Sequence, residues 1–270
     1  MAASAYSVKS IRALERGLDV LQALQTGPGA GLKDLHEITG LPKATLLRVL
    51  RTLTERNLVW QRLADGAYLP STRARGPGLD DAGRLVEAAA PVMARLCERV
   101  NWPSVLAVPR EGQMEVIETN RPRAHVSHLP VGPVGVRVNM LFSSTGRAYF
   151  SFCSHDEREE IVRRLRDGDQ PGDAFARDPA WLARMVATTQ AQGYGVRDPL
   201  FAGDPRGAGR YPDDGRNSIA VPVIVSGQVV AAMNLTWTRR AASAAQIVAE
   251  HLADLRAAAA EMAAGLAGRA

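Results

Sequence analysis

Between residues 43 and 56, polar side chains recur at the spacing of one helical face. Lys43, Thr45, Arg48, Arg51 and Thr52 share the outward side of a helix whose inward side holds Leu46, Val49, Leu50 and Leu53. Cations and hydroxyls in that arrangement suit a polyanion: Lys and Arg neutralise phosphates, and Arg also matches the paired acceptors on a guanine edge. Far downstream, Asn234 and Thr236 stand two apart in an apolar run, so on a strand they share a face. Polar side chains in such a run cost stability unless partnered. That face is either partnered by other polar groups or simply wet.

Other chemistries fit less well. His125 and His128, with Cys153-Ser154-His155, supply potential metal ligands. But His125-Val126-Ser127-His128 reads as a strand, on which an i, i+3 pair points to opposite faces, and no metal is assigned. Ser143 and Ser144 lack the Gly-x-Ser-x-Gly setting of an activated nucleophile. No phosphate-binding loop or dinucleotide fingerprint is present, and Gly203–Gly209 follows no strand, so no cofactor is expected.

The elements that would carry these residues follow from periodicity. Leu14, Leu18, Leu21 and Leu24 predict an amphipathic helix ended by Gly27-Pro28-Gly29. Leu32, Leu35 and Ile38 predict a short second helix, and Gly40-Leu41-Pro42 a tight connection to the basic third one, with Pro42 in its first turn. Leu58-Val59-Trp60 and Tyr68-Leu69 flank Asp65-Gly66 and predict a hairpin with Arg62 near its tip. Three helices and a hairpin in this order describe a winged helix-turn-helix.

Charge is distributed accordingly. Residues 1–78 carry 11 Lys+Arg against 6 Asp+Glu, while residues 79–270 hold 22 of each, so the net charge of +5 sits wholly in the first part. A local excess of this kind is rewarded by counterion release from DNA. No apolar run reaches the length of a membrane span, and Met1–Ser10 lacks the apolar core of a signal peptide; two cysteines make no disulfide framework. A cytoplasmic protein with no membrane partner is expected.

Arg73-Ala74-Arg75-Gly76-Pro77-Gly78 marks a composition break, which puts a first domain at 1–78. An Ala-rich linker helix is predicted at 79–100, with Leu85, Val92, Met93 and Leu96 on one side and a kink or split at Pro91. Residues 101–270 follow as a third part. Strand-like Val105–Val108 and Met114–Thr119 form one hairpin; Ser218–Val225 and Val229–Trp237 form another. Helix starts lie at Ser154 and Asp178, and Ser243 with Gln246 caps a final helix. The whole is an α+β domain around a central antiparallel sheet, with a Gly- and Pro-rich loop over 198–217.

The segment Ser10-Ile11-Arg12-Ala13-Leu14-Glu15-Arg16-Gly17-Leu18-Asp19-Val20-Leu21 resembles the opening of IclR-family regulators. Gly40-Leu41-Pro42-Lys43-Ala44-Thr45-Leu46-Leu47-Arg48-Val49-Leu50 resembles their recognition-helix signature. Leu47 stands where an aromatic or His is common, and Ala44 where Ser is common. The likeness extends over nearly the whole chain. It implies double-stranded DNA with a pseudo-palindromic operator as partner, contacted by Lys43, Ala44, Thr45, Arg48, Arg51, Thr52 and Arg62, and a homodimer or dimer of dimers.

The second part resembles the family's GAF-like effector domain, through Met140–Ala148, Gly193–Asp198, Ser218–Val223 and Ala231–Thr236. Gly146-Arg147-Ala148-Tyr149, Phe152-Cys153 and Asn234-Leu235 look closest to the branch that controls aromatic-acid catabolism. The resemblance implies a small carboxylate effector of aromatic type. Met140, Ser143, Ser144, Thr145, Asp198, Ser218, Asn234 and Thr236 would hold it, with main-chain N–H groups near Ser144 and Thr145 meeting the carboxylate and Asp198 closing the site. Arg137 and Arg197 are further candidates for neutralising an acid. A regulator, not an enzyme, is the reading. Two others stand behind it: a small-molecule-metabolising enzyme with a DNA-binding appendage, and a constitutive DNA-binding protein whose second domain only oligomerises.

Overall fold

Contacts divide the chain into two units, Met1–Asp80 and Asp81–Ala270. The computed structural model describes residues 10–25, 29–71, 81–120, 133–168, 172–201 and 214–268. The expected break at 73–78, the pair His125 and His128, and the glycines of 203–209 lie outside the described residues.

In the first unit, α1 (Arg12–Gln25), α2 (Leu32–Thr39) and α3 (Lys43–Glu55) precede an antiparallel hairpin of β1 (Val59–Gln61) and β2 (Tyr68–Pro70). Leu35, Leu46 and Leu50 are buried with Val20, Leu24 and Val59 in one core. The inward face of α1 differs from the expected stripe. Val20 and Leu24, one turn apart, are buried, whereas Leu14 (57% exposed) and Leu18 (49%) are turned away. Apolar residues at mixed three- and four-residue steps leave the centre of a helix face open by a large fraction of a turn, and packing chose Val20. Ile38 is likewise exposed, and Leu41 beyond the turn packs against the core instead.

The connection between α2 and α3 is set by Gly40, at φ +66° in the left-handed region, whose N–H donates to the His36 carbonyl. Pro42 is the residue before α3, not its first member, and no side chain caps that helix. Tyr68 exchanges two backbone hydrogen bonds with Ala30, which fastens the hairpin to the segment before α2.

The second unit begins with α4 (Asp81–Val100), one continuous helix through Pro91. The expected split does not occur: proline removes a single hydrogen bond, and Val92, Met93 and Leu96 are buried on the same helix. The strands β3 (Ser104–Arg110), β4 (Gln113–Asn120), β5 (Arg137–Asn139), β6 (Gly195–Val196), β7 (Arg216–Val225) and β8 (Gln228–Thr238) form one antiparallel sheet in the order β5-β4-β3-β8-β7-β6. Between β5 and β6 run α5 (Ser144–Phe152), α6 (His155–Arg166), a 3₁₀ turn (Asp173–Arg177) and α7 (Pro179–Gln192). The final α8 (Ala244–Ala267) starts on the expected box, Ser243 Oγ accepting the Gln246 N–H while the Gln246 side chain accepts the Ser243 N–H.

Alternation sorts the sheet into two faces. Ala107, Met114, Ala220 and Ala232 share a core with Ala148, Tyr149, Leu182 and Met185 of α5 and α7. Meanwhile α8 packs against β7, and α4 packs against α8 and β4. An α+β fold with a helix-turn-helix unit and an antiparallel sheet is what the sequence patterns had led us to expect.

Candidate functional site

On α3, Lys43, Ala44, Leu47, Arg48, Arg51 and Thr52 are exposed and Thr45 is half-buried. Neither Lys43 nor Arg48 has a side-chain partner among the described residues. Arg51 forms an exposed ion pair with Glu55 at 2.8 Å. The Thr52 hydroxyl is turned back on the helix, donating to the Arg48 carbonyl. On the hairpin, Arg62 is engaged by Asp65 through Nε–Oδ1 (3.0 Å) and Nη2–Oδ2. The seven sequence candidates thus divide. Lys43, Ala44, Thr45, Arg48, Arg51 and Thr52 lie on one helix, while the charge of Arg62 is already matched within the hairpin.

In the second unit, a cavity of about 100 Å³ lies over the sheet face that carries α5. Its floor is Val105 and Val116 with Ser218, Asn234 and Thr236. The register pairs Ser218 with Thr236 and Ala220 with Asn234, which brings the polar residues of two strands to one patch. Ser143, Ser144 and Thr145 at the start of α5 form a wall.

That wall is held close by two glycines. A Cβ on Gly146 would fall 2.1 Å from the Met140 carbonyl oxygen, and one on Gly195 would fall 2.4 Å from the Ser144 carbonyl oxygen. Backbone atoms cannot yield at such distances, so α5 lies directly on its neighbours only because both positions are Gly. Ser143 caps the helix: its Oγ accepts the Gly146 N–H and donates to the Asn139 carbonyl. Ser144 and Ser218 share a hydrogen bond. The N–H groups of Ser144 and Thr145 have no partner among the described residues, as the start of a helix leaves them.

Val136 and Val138 also line the cavity, and a further part of its lining is ionic. Arg197, nearly buried, donates to Asp214 at 2.8 Å and to the Phe201 carbonyl at 2.9 Å, and stacks over the Phe201 ring at 4.6 Å. Arg216 reaches the same carboxylate at 4.0 Å. Burial pulls the Arg197 guanidinium below its ordinary value, with Asp214 working in the opposite direction. The Arg197 and Arg216 guanidiniums in this lining are groups that an anion can meet. Among the described residues the lining holds hydroxyls, an amide, this ionic group and apolar side chains, and no His or Cys.

Six of the eight residues expected to hold a ligand therefore line one cavity. Met140 and Asp198 do not. Met140 is fully buried in the core between the sheet and α5. The Asp198 carboxylate is turned to the Arg147 guanidinium, which also donates to the Leu141 and Val196 carbonyls. A charge buried at Arg147 requires that counter-charge, and this need decides where Asp198 points. Arg137 is also elsewhere, paired with Glu111 and Glu115. Asn234 lines the cavity but is partly occupied, its Oδ1 accepting the Val105 N–H at 2.8 Å and its Nδ2 donating to Thr236. Asp214, Arg216 and Phe201 were not anticipated. They fall in or beside a Gly- and Pro-rich tract without periodicity, where spacing carries no signal.

Among the described residues no cluster of His, Cys, Asp and Glu has the composition of a metal site, and no helix is long and apolar enough to cross a membrane. Cys153 is buried, with its thiol pushed up to about 11 chiefly by that burial, whereas His155 is exposed beside Glu159.

A family described as the IclR helix-turn-helix domain matches residues 13–63. The chain is 25% identical over 188 residues to the HTH-type transcriptional regulator BhcR of Paracoccus denitrificans, an alignment that spans 69% of this chain and 66% of that protein. It is 24% identical over 204 residues to the transcriptional repressor IclR of Escherichia coli, spanning 74% of each. Among solved structures, it is similar to an IclR homologue from Microbacterium hydrocarbonoxydans complexed with 4-hydroxybenzoate. The TM-score is 0.52 at 24% identity, covering 95% of this chain and 99% of that one.

Proposed function

We propose that this chain is a transcriptional regulator of the IclR family, and that its two units divide the work of reading DNA and sensing an acid. Residues 1–78 bind a pseudo-palindromic operator as part of a homodimer or dimer of dimers, with α3 in the major groove. Lys43 and Thr45 position the helix on phosphate, and Arg48 reaches a base edge. Residues 101–270 hold a small carboxylate effector. The protein acts in the cytoplasm and turns nothing over.

The observation that carries the second half is the cavity wall. Ser144, Thr145 and Ser218 supply neutral donors, and Arg197 and Arg216 supply charged ones. An acid meets both. The aromatic class is proposed because a relative of this fold was solved with 4-hydroxybenzoate.

Coupling runs through residues 79–100. Asn234 accepts the Val105 N–H; the adjacent Ser104 N–H donates to Asn120, whose Nδ2 donates to the Met93 carbonyl of α4. These buried hydrogen bonds give the linker helix a contiguous connection to the cavity floor. An effector shifts DNA affinity only if it binds one arrangement better than the other.

The test is a gel shift of the full chain on DNA upstream of its own gene, across a salt series, with and without a panel of aromatic and short aliphatic acids. Specific, salt-sensitive binding altered by an aromatic acid is expected. A response to short aliphatic acids alone would remove the aromatic assignment. Binding no better than to random DNA at every salt would defeat the regulator reading.

A further inference from the structure

We propose that Leu47, with Ala44 beside it, reads thymine C5-methyl groups in the major groove and so sets part of this chain's base preference. The inference rests on the reading of residues 1–78 as a DNA-binding unit.

Leu47 is 50% exposed, although Leu46 and Leu50 on the same helix are fully buried. It belongs to neither the core of this unit nor its rim of partly buried apolar residues. A single exposed leucine is ordinary on a protein surface. The surroundings of this one are not. Ala44 precedes it by three residues and Arg51 follows by four, so both neighbour Leu47 on the helix surface. Lys43 and Arg48 stand alongside, exposed and without side-chain partners among the described residues.

An apolar patch one or two side chains wide, ringed by cations, matches the cross-section of a major groove. Phosphates run along both edges, and on the floor the one apolar feature is the thymine methyl. A leucine has no donor or acceptor, so it cannot read guanine, adenine or cytosine by hydrogen bonds. What it distinguishes is a methyl group from its absence. The start of α3 fits the same placement, because without a side-chain cap its first N–H groups remain for a phosphate oxygen.

The experiment isolates the methyl. Operator sequences are first enriched from a random duplex pool by the full-length protein. Each thymine in the enriched site is then replaced, one at a time, by deoxyuridine, which removes only the C5-methyl. At one or two thymines per half-site, affinity should fall about fourfold, the factor for exposing one methyl-sized group. The Leu47→Ala protein should bind thymine and uracil duplexes equally at those positions. Leu47 is exposed, so this variant should keep its melting temperature.

Three outcomes would overturn the proposal. The first is that uracil weakens binding nowhere in an enriched site. The second is that Leu47→Ala retains the same uracil sensitivity. The third is that Leu47→Ala changes the oligomeric mass while sensitivity persists, making Leu47 a protein contact. Enrichment of no sequence at all would instead strike the DNA-binding reading itself, and this inference with it.

Discussion

Ser144 and Ser218 stand 74 residues apart in the chain, yet their hydroxyl oxygens lie 2.8 Å apart, joining the first turn of α5 to β7. The bond joins the wall to the floor of a cavity whose volume is only about 100 Å³. In so small a space one side chain decides occupancy. Ser218→Val keeps a residue suited to a strand, fills part of the cavity and removes a donor. Effector affinity should drop at least tenfold, an order-of-magnitude figure for one lost hydrogen bond plus overlap, while operator binding without effector is unchanged. Isothermal titration and a gel shift separate the two, and unaltered effector affinity would move the ligand elsewhere.

Asn234 poses a different question, because its amide is already used. Its Oδ1 is the acceptor for the Val105 N–H, so Asn234→Leu leaves a buried backbone donor unpaired. A loss of about 1–3 kcal/mol is expected, seen as a lower melting temperature of the second unit even without effector. Asn234→Asp preserves an acceptor and should recover much of it. If Asn234→Leu melts like the wild type but no longer responds to effector, Asn234 is a ligand contact first and a strand tie second.

Arg48 and Arg62 carry the same charge and both stand among the candidates for DNA contact. The fold separates them, since Arg48 has no side-chain partner among the described residues and Arg62 is forked onto Asp65. Arg48→Ala should weaken specific binding by about 1–3 kcal/mol if it makes a bidentate base contact. Arg62→Ala should change affinity by less than Arg48→Ala. Anisotropy titrations on the enriched operator rank the pair, and the reverse order would place the hairpin tip on DNA.

Those two arginines show where a sequence is legible. Periodicity locates α3 and its outward face because every residue obeys one repeat. It also finds the two long hairpins, whose turns, Glu111-Gly112 and Ser226-Gly227, have positive φ at both residues. Three-dimensional choices stay hidden. Leu14 and Val20 compete for one helix face, and the winner depends on where α2 and α3 lie. Asp198 has two possible partners, and the buried Arg147 takes it. Asp214 and Arg216 complete the cavity from a segment with no repeat to read.

The Arg62–Asp65 pair also carries a pH dependence. Hydrogen bonding from Arg62, opposed by partial burial, holds the Asp65 carboxyl below the usual carboxylate range. A depressed carboxyl contributes stability that is present above its unfolded value, about 3.9, and is lost as pH falls through the lower folded value. The hairpin tip should therefore loosen only below about pH 4. The Ala67 N–H, which donates to Asp65 Oδ1, reports this directly by NMR. Its resonance should titrate in that window and lose the titration in Asp65→Asn. A midpoint above 4 would contradict the pairing.

Asp198 tests whether the second unit was read correctly at its most consequential correction. Asp198 and Arg147 each have 15% of the side chain exposed, and burial pulls the Arg147 guanidinium below its ordinary value against the pull of Asp198. Asp198→Asn keeps the shape but removes the counter-charge, leaving a buried cation uncompensated. The expected loss is about 3 kcal/mol or more. The double variant Arg147→Met, Asp198→Leu removes both charges and should be more stable than Asp198→Asn alone, since the penalty belongs to the orphaned charge. A ligand-closing Asp198 predicts the opposite pattern: weaker effector binding, little change in melting, and no rescue by the second substitution. Thermal melts of the wild type and the two variants with and without effector decide between them, because a structural ion pair moves the effector-free melt and a ligand contact moves only the effector-induced shift.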